Sequence, residues 1–272
     1  MTEGSTRDGK LLLVGCGRMG GALLEGWLAR GLRPADAIVA EPVEALRPQK
    51  SGLRAVASSQ EVAETPALVV LAVKPQTMDA ALADLRRFAD DGAVFLSIAA
   101  GKTLKYFASH LGATAKVVRA MPNTPAAVRQ GITVACAAPG VSAAEKKRCQ
   151  DLLEAVGEAL WVDDEALMDP VTALSGSGPA YVFLLVEAMA AAGVKLGLSP
   201  AMAMQLARAT VAGSGELLRQ SSDAASQLRV NVTSPGGTTA EALKILMAGD
   251  GIQPVFDKAL AAASRRSREL AG

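Results

Sequence analysis

The first half of the chain alternates between short apolar runs and segments with helical spacing. The runs are rich in Val, Leu and Ile, several end at glycine or proline, and they cover residues 11–17, 37–42, 67–75, 93–101, 116–123, 131–137 and 159–165. Helical patterns occupy residues 20–31 and 142–156 between them. Apolar strands separated by helices are typical of a parallel sheet that is covered on both faces. We therefore predict an α/β domain with a mostly parallel sheet.

From about residue 165 the pattern changes, and no further strand is predicted. Residues 179–194 form an apolar helical run, Ser199-Pro200 is a strong helix start, another helix opens within 231–243, and a last one closes the chain. The sequence thus predicts two domains, residues 1–165 with the sheet and residues 166–272 with helices alone.

The run 179–194 is apolar on almost every side, with Glu187 as its only charge. A helix that is apolar all round is buried all round. The helical half alone is too small to cover it, which favours a subunit interface made by this half. The alternative is that the first domain covers it.

Composition and charge exclude several classes of function. The net charge is +1 and no long basic run occurs, so nucleic-acid binding is not expected. One histidine and no CxxC pair leave too few ligands for a zinc site, so no metal site is predicted. Three cysteines at unrelated spacings fit a reducing compartment. The polar N-terminus lacks a signal-peptide core, and the longest apolar run is too short to span a bilayer comfortably, so we predict a cytoplasmic protein without membrane association.

A glycine-rich loop follows the first strand directly. Gly15, Gly17 and Gly20 form G-x-G-x-x-G in "VGCGRMGGAL" between a predicted strand and a predicted helix. The first glycine makes the tight turn, the second admits a pyrophosphate, and the third lets helix and strand pack closely. The loop, including Cys16, Arg18 and Met19, is predicted to bind a dinucleotide in a Rossmann-like domain; a purely structural glycine turn is the alternative.

Glu41 ends the second strand, where a carboxylate typically accepts hydrogen bonds from the adenosine ribose. This placement slightly favours NAD over NADP. A solvated surface charge is the alternative, and Arg47 and Lys50 lie near enough in sequence to bind a 2′-phosphate instead. The predicted cofactor is therefore NAD(P)H, with the choice between NADH and NADPH left open.

Ligands of open parallel sheets bind outside the carboxyl ends of the strands. The third strand ends in Ala72, Val73, Lys74 and Pro75, and the fourth in Ala99, Ala100 and Gly101. The small residues at 99–101 are predicted to let a flat nicotinamide ring approach the backbone. Lys74 is either a ligand contact or an exposed loop lysine.

The stretch "NVTSPGGTTAEAL" (231–243) breaks a helical region with Pro235, Gly236 and Gly237 and then restarts a helix. The first N–H groups of that helix suit a substrate carboxylate. The alternative is a capping box between Thr238 and Glu241. No lysine follows the Ser175–Gly178 turn, which argues against the ketone chemistry of β-hydroxyacid dehydrogenases. A protonated imine needs only orientation and one hydrogen bond, which a threonine hydroxyl provides.

Several blocks together resemble the pyrroline-5-carboxylate reductase family. They are "VGCGRMGGAL", "LAVKPQ", "SIAAGKTL", "RAMPNTPA", "LSGSGPAYVF", "GLSPAMA" and "NVTSPGGTTAEAL", and they run in order over nearly the whole chain. The resemblance implies NAD(P)H-dependent reduction of 1-pyrroline-5-carboxylate to L-proline, the last step of proline biosynthesis. It also implies a homodimer with interlocked helical domains, the active site lying between one subunit's cofactor domain and the other's helices. Assembly beyond a dimer is left open.

The resemblance also assigns site residues. Thr239 is implied as the catalytic residue, with its hydroxyl on the ring nitrogen. The substrate carboxylate is implied to bind at Ser234, Gly236, Gly237, Thr238 and Thr239, with Asn231 supporting the turn. Lys74, Pro75, Asn123 and Pro125 are implied to line the cleft on the cofactor side.

Two features depart from the family or add to its pattern. Glu41 stands where NADPH-preferring members carry small or polar residues, which puts NADPH preference in doubt. Cys16 lies inside the glycine loop, so oxidation of its thiol is hypothesised to affect cofactor binding. The competing functions are reduction of another imine or keto acid on the same scaffold, and a non-catalytic NAD(P)-binding regulator, which needs no intact Thr239 turn.

Overall fold

The computed structural model describes residues 9–271. The predicted absence of a secretion signal concerns the first ten residues, of which 1–8 lie outside the described part. The chain divides into two compact units. The first comprises the residues up to Gly176 together with those from Ala263 onward, and the second is Ser177–Ala262. The predicted domain boundary near residue 165 stays a prediction.

The first unit contains one eight-stranded sheet with helices. Its strands are β1 Leu11–Val14, β2 Ala37–Ala40, β3 Arg54–Val56, β4 Leu68–Leu71, β5 Val94–Ser97, β6 Lys116–Met121, β7 Gly131–Ala137 and β8 Gly157–Trp161. Its helices are α1 Arg18–Ala29, α2 Met78–Ala83, α3 Arg86–Asp90, α4 Leu104–Leu111, α5 Ala143–Leu153 and α6 Met168–Val171, followed by a π-helical turn over Thr172–Gly176. This is the predicted Rossmann-like α/β fold.

The strand order is β3-β2-β1-β4-β5-β6-β7-β8. All neighbouring strands are parallel except β6 and β7, which pair antiparallel with Val118 opposite Ala137. Parallel neighbours need a crossover of a dozen or more residues, and the turn over Thr124–Val128 is too short for one. The sheet is therefore mostly parallel, as predicted, with one antiparallel pair that the hydrophobic pattern does not indicate.

The two faces of the sheet carry separate hydrophobic cores, because successive residues of each strand point to opposite sides. Leu11 and Leu13 pack with Trp27 of α1 and Leu153 of α5, whereas Leu12 packs on the other face. The core on that second face includes Met78, Leu82, Phe88 and Phe107 from α2, α3 and α4. This double cover explains why the strands read as continuous apolar runs rather than as alternating ones.

The second unit is helical throughout, as predicted. It contains α7 Gly178–Lys195, α8 Pro200–Gln220, α9 Ala225–Asn231, α10 Thr238–Leu246 and the first part of α11 Ile252–Ala271, whose last turns belong to the first unit. Ser199 caps α8 through its side chain and Pro200 follows at the first position, as the sequence predicts. Ala190 of α7 is buried against Ala203 and Ala207 of α8.

Much apolar surface of the second unit stays exposed in the single chain. Phe183 is 62% exposed, Leu184 63% and Leu206 51%. By length and composition alone, the helical run Glu165–Lys195 would also suffice to cross a membrane. A monomeric soluble protein seldom exposes contiguous apolar patches of this kind, so this surface requires a cover.

Candidate cofactor and substrate sites

The glycine loop has the geometry that a pyrophosphate-binding turn requires. Gly15 has φ +92°, a conformation open mainly to glycine, and makes the turn out of β1. No atom lies within 4 Å of the position where a Cβ of Gly17 would stand, so that side of the loop is open. A Cβ on Gly20 would overlap the Gly15 carbonyl oxygen and lie 3.1 Å from Ala72 Cβ. The three glycines thus meet the three different demands of the dinucleotide fingerprint.

Helix α1 begins directly after this loop and has no side-chain cap at Gly17. Its first turn carries no acidic residue. The free N–H groups and positive end of the helix therefore face the open side of the loop, which suits an anion such as a pyrophosphate. The residues present fit a dinucleotide.

Glu41 is buried, with a relative exposure of 6%, rather than a solvated surface charge. Its Oε2 accepts a hydrogen bond from the Cys16 N–H at 2.7 Å, and its Oε1 accepts one from the Val43 N–H at 2.9 Å. Arg47 donates to the carbonyl oxygens of Glu41 at 2.7 Å and Pro42 at 3.0 Å. The carboxylate thus holds the glycine loop against the end of β2, a role that sequence reasoning does not predict.

The Cys16 side chain is buried beside this carboxylate. Burial, and after it the negative charges of Glu41 and Glu25, raise the pKa of the Cys16 thiol. The thiolate is the reactive form, and its fraction at neutral pH is therefore reduced. A buried thiol with a raised pKa is expected to react slowly with oxidants, contrary to the hypothesis that Cys16 is readily oxidised.

The other predicted cofactor residues follow neighbouring strands. Strands β1, β4, β5 and β6 are adjacent and parallel, so the segments after them lie along one edge of the sheet. The structure therefore brings together the glycine loop, residues 72–75, residues 99–101 and Asn123. Lys74 is exposed, and its carbonyl oxygen accepts a hydrogen bond from Thr77 N–H at 3.0 Å. Asn123 Oδ1 accepts from the Ile132 N–H at 3.0 Å and so fixes the turn between β6 and β7.

Gly101 has φ +74° and is buried. A Cβ there would lie 3.2 Å from the Leu270 carbonyl oxygen. The last turn of α11 thus packs against the loop that follows β5, and this contact, together with the positive φ, explains the glycine. Ala100 is exposed beside it and Ala99 is buried.

The proposed substrate turn lies in the second unit. Gly237 N–H donates to the Ser234 carbonyl oxygen at 3.0 Å, and Gly236 has φ +68°. Helix α10 begins at Thr238 with Gly237 as N-cap. Ser234, Gly236 and Thr238 are exposed, while Gly237 and Thr239 are half-buried.

The predicted alternative of a capping box does not form. Gly237 is the N-cap and offers no side chain, and Glu241 instead accepts from Lys244 Nζ at 2.6 Å. Among the hydrogen bonds of residues 9–271, none engages the N–H groups of Thr238 and Thr239. These donors remain available for an anion at the helix start.

Asn231 ends α9 and lies just before this turn. Its Oδ1 accepts from Gln227 Nε2 at 2.8 Å within the same helix, so its side chain makes no bond to the turn in this structure. The bond that ties the turn to α9 comes from a neighbour: Thr233 Oγ1 donates to the Arg229 carbonyl oxygen at 2.6 Å.

His110 belongs to α4, as its helical pattern predicts. Its Nδ1 lies 2.9 Å from the Tyr106 carbonyl oxygen, and its Nε2 lies 3.8 Å from Asp79 Oδ1. Among residues 9–271, no group of three or more His, Cys, Asp or Glu side chains is arranged to hold a metal ion.

Comparisons with known proteins agree with this geometry. Residues 165–270 match the family model described as pyrroline-5-carboxylate reductase dimerisation, and residues 10–101 match the one described as NADP oxidoreductase, coenzyme F420-dependent. The pyrroline-5-carboxylate reductase of Pseudomonas aeruginosa is 42% identical over 265 residues, covering 96% of this chain and 97% of the relative. That of Mycobacterium tuberculosis is 41% identical and covers 96% of each chain.

Solved structures give the same result. A pyrroline-5-carboxylate reductase from Coxiella burnetii superimposes with a TM-score of 0.89 at 34% identity, covering 97% of this chain and 99% of that one. The Plasmodium falciparum enzyme, solved with NADP bound, gives 0.83 at 30% identity and covers 98% and 100%. On sequence, fold and the geometry of both loops, the chain belongs to the pyrroline-5-carboxylate reductase family.

Proposed function

We propose that the glycine loop and the turn over residues 234–239 serve one reaction, the NAD(P)H-dependent reduction of 1-pyrroline-5-carboxylate to L-proline. This reaction is the last step of proline biosynthesis. One observation carries the proposal: Thr238 and Thr239 open a helix with free N–H groups, in a chain that also holds a complete dinucleotide loop. A regulator that only sensed the dinucleotide would need the loop alone.

The cofactor half of the site consists of the segments along the sheet edge. Gly17 leaves space for the pyrophosphate, which the N–H groups of Arg18, Met19 and Gly20 at the start of α1 attract. When bound, NAD(P)H supplies the hydride that the reaction needs. The segments at 72–75 and 99–101 and Asn123 are proposed to position the nicotinamide end.

The substrate half is the turn before α10. The carboxylate of the cyclic imine is proposed to accept hydrogen bonds from the Thr238 and Thr239 N–H groups, and Ser234 lines the same turn. Gly236 and Gly237 keep the backbone accessible, because neither places a side chain over these donors. Asn231 is proposed to support the turn through α9.

Thr239 is proposed as the catalytic residue. Its hydroxyl forms a hydrogen bond to the ring nitrogen and orients the C=N bond. A hydride adds to the carbon of that bond and a proton is retained on the nitrogen, so the iminium becomes the secondary amine of proline. Because the protonated imine is already electrophilic, no stronger acid is required in the site.

Glu41 is proposed to favour NADH over NADPH. Its buried carboxylate places a negative charge at the end of β2, where a 2′-phosphate would be repelled. Its two oxygens accept the N–H of Cys16 in the glycine loop and the N–H of Val43 after β2, so the carboxylate cannot rotate away without breaking these bonds. Among the described residues Arg47 forms no ion pair with this carboxylate, because its guanidinium donates instead to two backbone carbonyl oxygens.

The exposed apolar surface of α7 and α8 is the proposed interface of an interlocked homodimer. The dimerisation model covers these helices, and Phe183 and Leu184 are more than half exposed in the single chain. Burial of these side chains also offers a reason other than a membrane for the apolar run of α7. Leu184→Glu is expected to yield a monomer by light scattering; an unchanged dimer would place the interface elsewhere.

We further propose a cytoplasmic location, supported by the three cysteines, all free and buried. The division into a cofactor domain up to residue 165 and a helical domain beyond it is also proposed. The dimerisation model begins at that same residue.

The test of the function is an absorbance assay on the purified chain. NADH and NADPH are each offered with 1-pyrroline-5-carboxylate, and with a 2-keto acid as control substrate. Rapid oxidation with the imine alone supports the proposal, and the two rates rank the cofactors. Oxidation with the keto acid would instead support the alternative substrate class, and cofactor binding without turnover of either would support a regulator.

A further inference from the structure

Arg119 is a charged residue inside an otherwise apolar strand. It lies on β6, and its side chain is only 5% exposed. Its Nη1 donates to Glu165 Oε1 at 2.7 Å. Burial of an unpaired guanidinium is strongly destabilising, so the ion pair with Glu165 offsets the desolvation cost of burying Arg119. Sequence analysis does not single out either residue, although an arginine within "KVVRAM" is the signal that marks the pair.

The same carboxylate oxygen has a second donor. The N–H of Leu104, the first residue of α4, donates to Glu165 Oε1 at 2.8 Å. Glu165 itself opens a helical turn that Asp164 caps through its side chain. One oxygen atom therefore joins three elements: β6, the start of α4 and the turn over Glu165–Leu167.

Each joined element leads to a segment of the cofactor edge or its neighbourhood. Arg119 precedes Met121 on β6, Asn123 follows the end of that strand, and Leu104 follows the loop with Ala99–Gly101. The turn at Glu165 leads through α6 to the π-helical turn, where a Cβ on Gly176 would overlap Met121 Cε. The junction thus reaches residues 99–101 and Asn123, two of the three parts of the chain that are proposed to position the nicotinamide end.

We propose that Arg119 and Glu165 are positioning residues for hydride transfer. Their junction fixes the loop after β5 relative to the end of β6, and so fixes the surface that receives the nicotinamide ring. The pair touches neither cofactor nor substrate; it acts through the backbone of Leu104 and through β6. The adenine half of the cofactor binds at β1 and β2 and does not depend on it.

The inference rests on the proposed function, because it assigns the nicotinamide to these segments. The test uses the full-length dimer and the variants Arg119→Met, Glu165→Ala and Glu165→Gln. Two quantities are measured for each: the single-turnover rate of NAD(P)H oxidation by the imine, and the dissociation constant of ADP-ribose or its 2′-phosphate, which lacks the nicotinamide. A displaced loop is expected to lower the single-turnover rate roughly 10- to 100-fold in Arg119→Met and Glu165→Ala, with ADP-ribose affinity unchanged.

Glu165→Gln keeps an oxygen that can accept the Leu104 N–H, so its single-turnover rate is expected to fall less than that of Glu165→Ala. Arg119→Lys, which keeps the charge, is expected to restore part of the rate. Lys116→Met is the matched control, because Lys116 lies on the same strand and pairs with Glu145 at 2.7 Å near the opposite end. It is expected to leave the rate unchanged.

Wild-type rates in both Arg119→Met and Glu165→Ala would overturn the inference. So would ADP-ribose affinity falling in parallel with the rate, or an equal loss in Lys116→Met, because each would indicate a general effect on the fold. If Arg119→Met does not fold, the half-exposed Glu165 variants decide the matter alone. A wild-type chain that fails to oxidise NAD(P)H with the imine would instead refute the proposed function.

Discussion

Replacement by alanine is expected to have opposite effects on stability at two adjacent glycines of α1, Gly20 and Gly21. A Cβ on Gly20 would overlap the Gly15 carbonyl oxygen and lie 3.1 Å from Ala72 Cβ, whereas a Cβ on Gly21 would lie 3.8 Å from the Cys16 carbonyl oxygen, an ordinary contact. Both residues are helical, so Gly→Ala gives each position the same gain in helix propensity, about 1 kcal/mol. Only Gly20→Ala forces helix and strand apart.

The difference between the two variants isolates the steric cost, because the propensity gain cancels. Forcing a methyl group into a closely packed contact costs about 1–3 kcal/mol. Gly21→Ala should therefore be stabilised by up to about 1 kcal/mol. The free energy of unfolding of Gly20→Ala should be about 2 kcal/mol lower than that of Gly21→Ala. This difference corresponds to about 4–8 °C in Tm for a chain of this size.

The measurement is thermal unfolding of both variants without cofactor, followed by titration with NAD(P)H. Gly21→Ala should bind like the wild type, while Gly20→Ala should bind weakly because the loop is displaced. Gly17→Val should lose binding because its side chain fills the space for the pyrophosphate, with little loss of stability. An equal or higher Tm for Gly20→Ala than for Gly21→Ala would refute the packing argument.

Three further predictions concern single side chains. Thr239→Ala should lower kcat about 100-fold with NAD(P)H affinity unchanged, while Thr238→Ala should retain most activity; equal losses in steady-state kinetics would remove the specific role of Thr239. Glu41→Gln should raise the NADPH/NADH ratio of kcat/KM about tenfold, since the charge near the 2′-phosphate is lost; an unchanged ratio would mean that Glu41 does not select the cofactor. Burial raises the pKa of Cys149 to about 12. Because the folded-state pKa is raised, the protonated thiol contributes stability that is fully present below about pH 9 and is lost as the pH rises towards 12. The free energy of unfolding in urea should therefore decline over this pH range, and Cys149→Ala should reduce the decline.

Hydrophobic patterning predicts most of the sheet because its strands are buried on both faces. The strand that patterning does not predict is β3, which spans Arg54–Val56 and carries an exposed arginine. Helix α9 is also missed, since Ala225–Asn231 is short and contains little apolar periodicity. Such elements are held by their neighbours rather than by a pattern of their own.

The candidate sites divide in the same way. Gly15, Gly17 and Gly20 are recognisable in sequence because their roles depend on the local backbone. The bonds of Glu41 to the glycine loop and of Glu165 to Leu104 join residues far apart in the chain. Spacing carries no signal for such contacts, and only the folded chain shows them.

The return of the last turns of α11 to the first unit has a consequence for how the chain loses its structure. Ser267 Oγ donates to Asp169 Oδ1 at 2.7 Å, and Leu270 contacts Gly101, so both ends of the segment Ser177–Ala262 are attached to the same folded body. Topologically, that segment is an insertion. If this segment unfolds alone, its two ends stay tethered to the first unit. The entropic contribution to its free energy of unfolding is then less favourable by about 4 kcal/mol than for a free chain of this length. In a separated subunit, the helices of this segment should therefore resist unfolding more than helices of a segment attached at one end only.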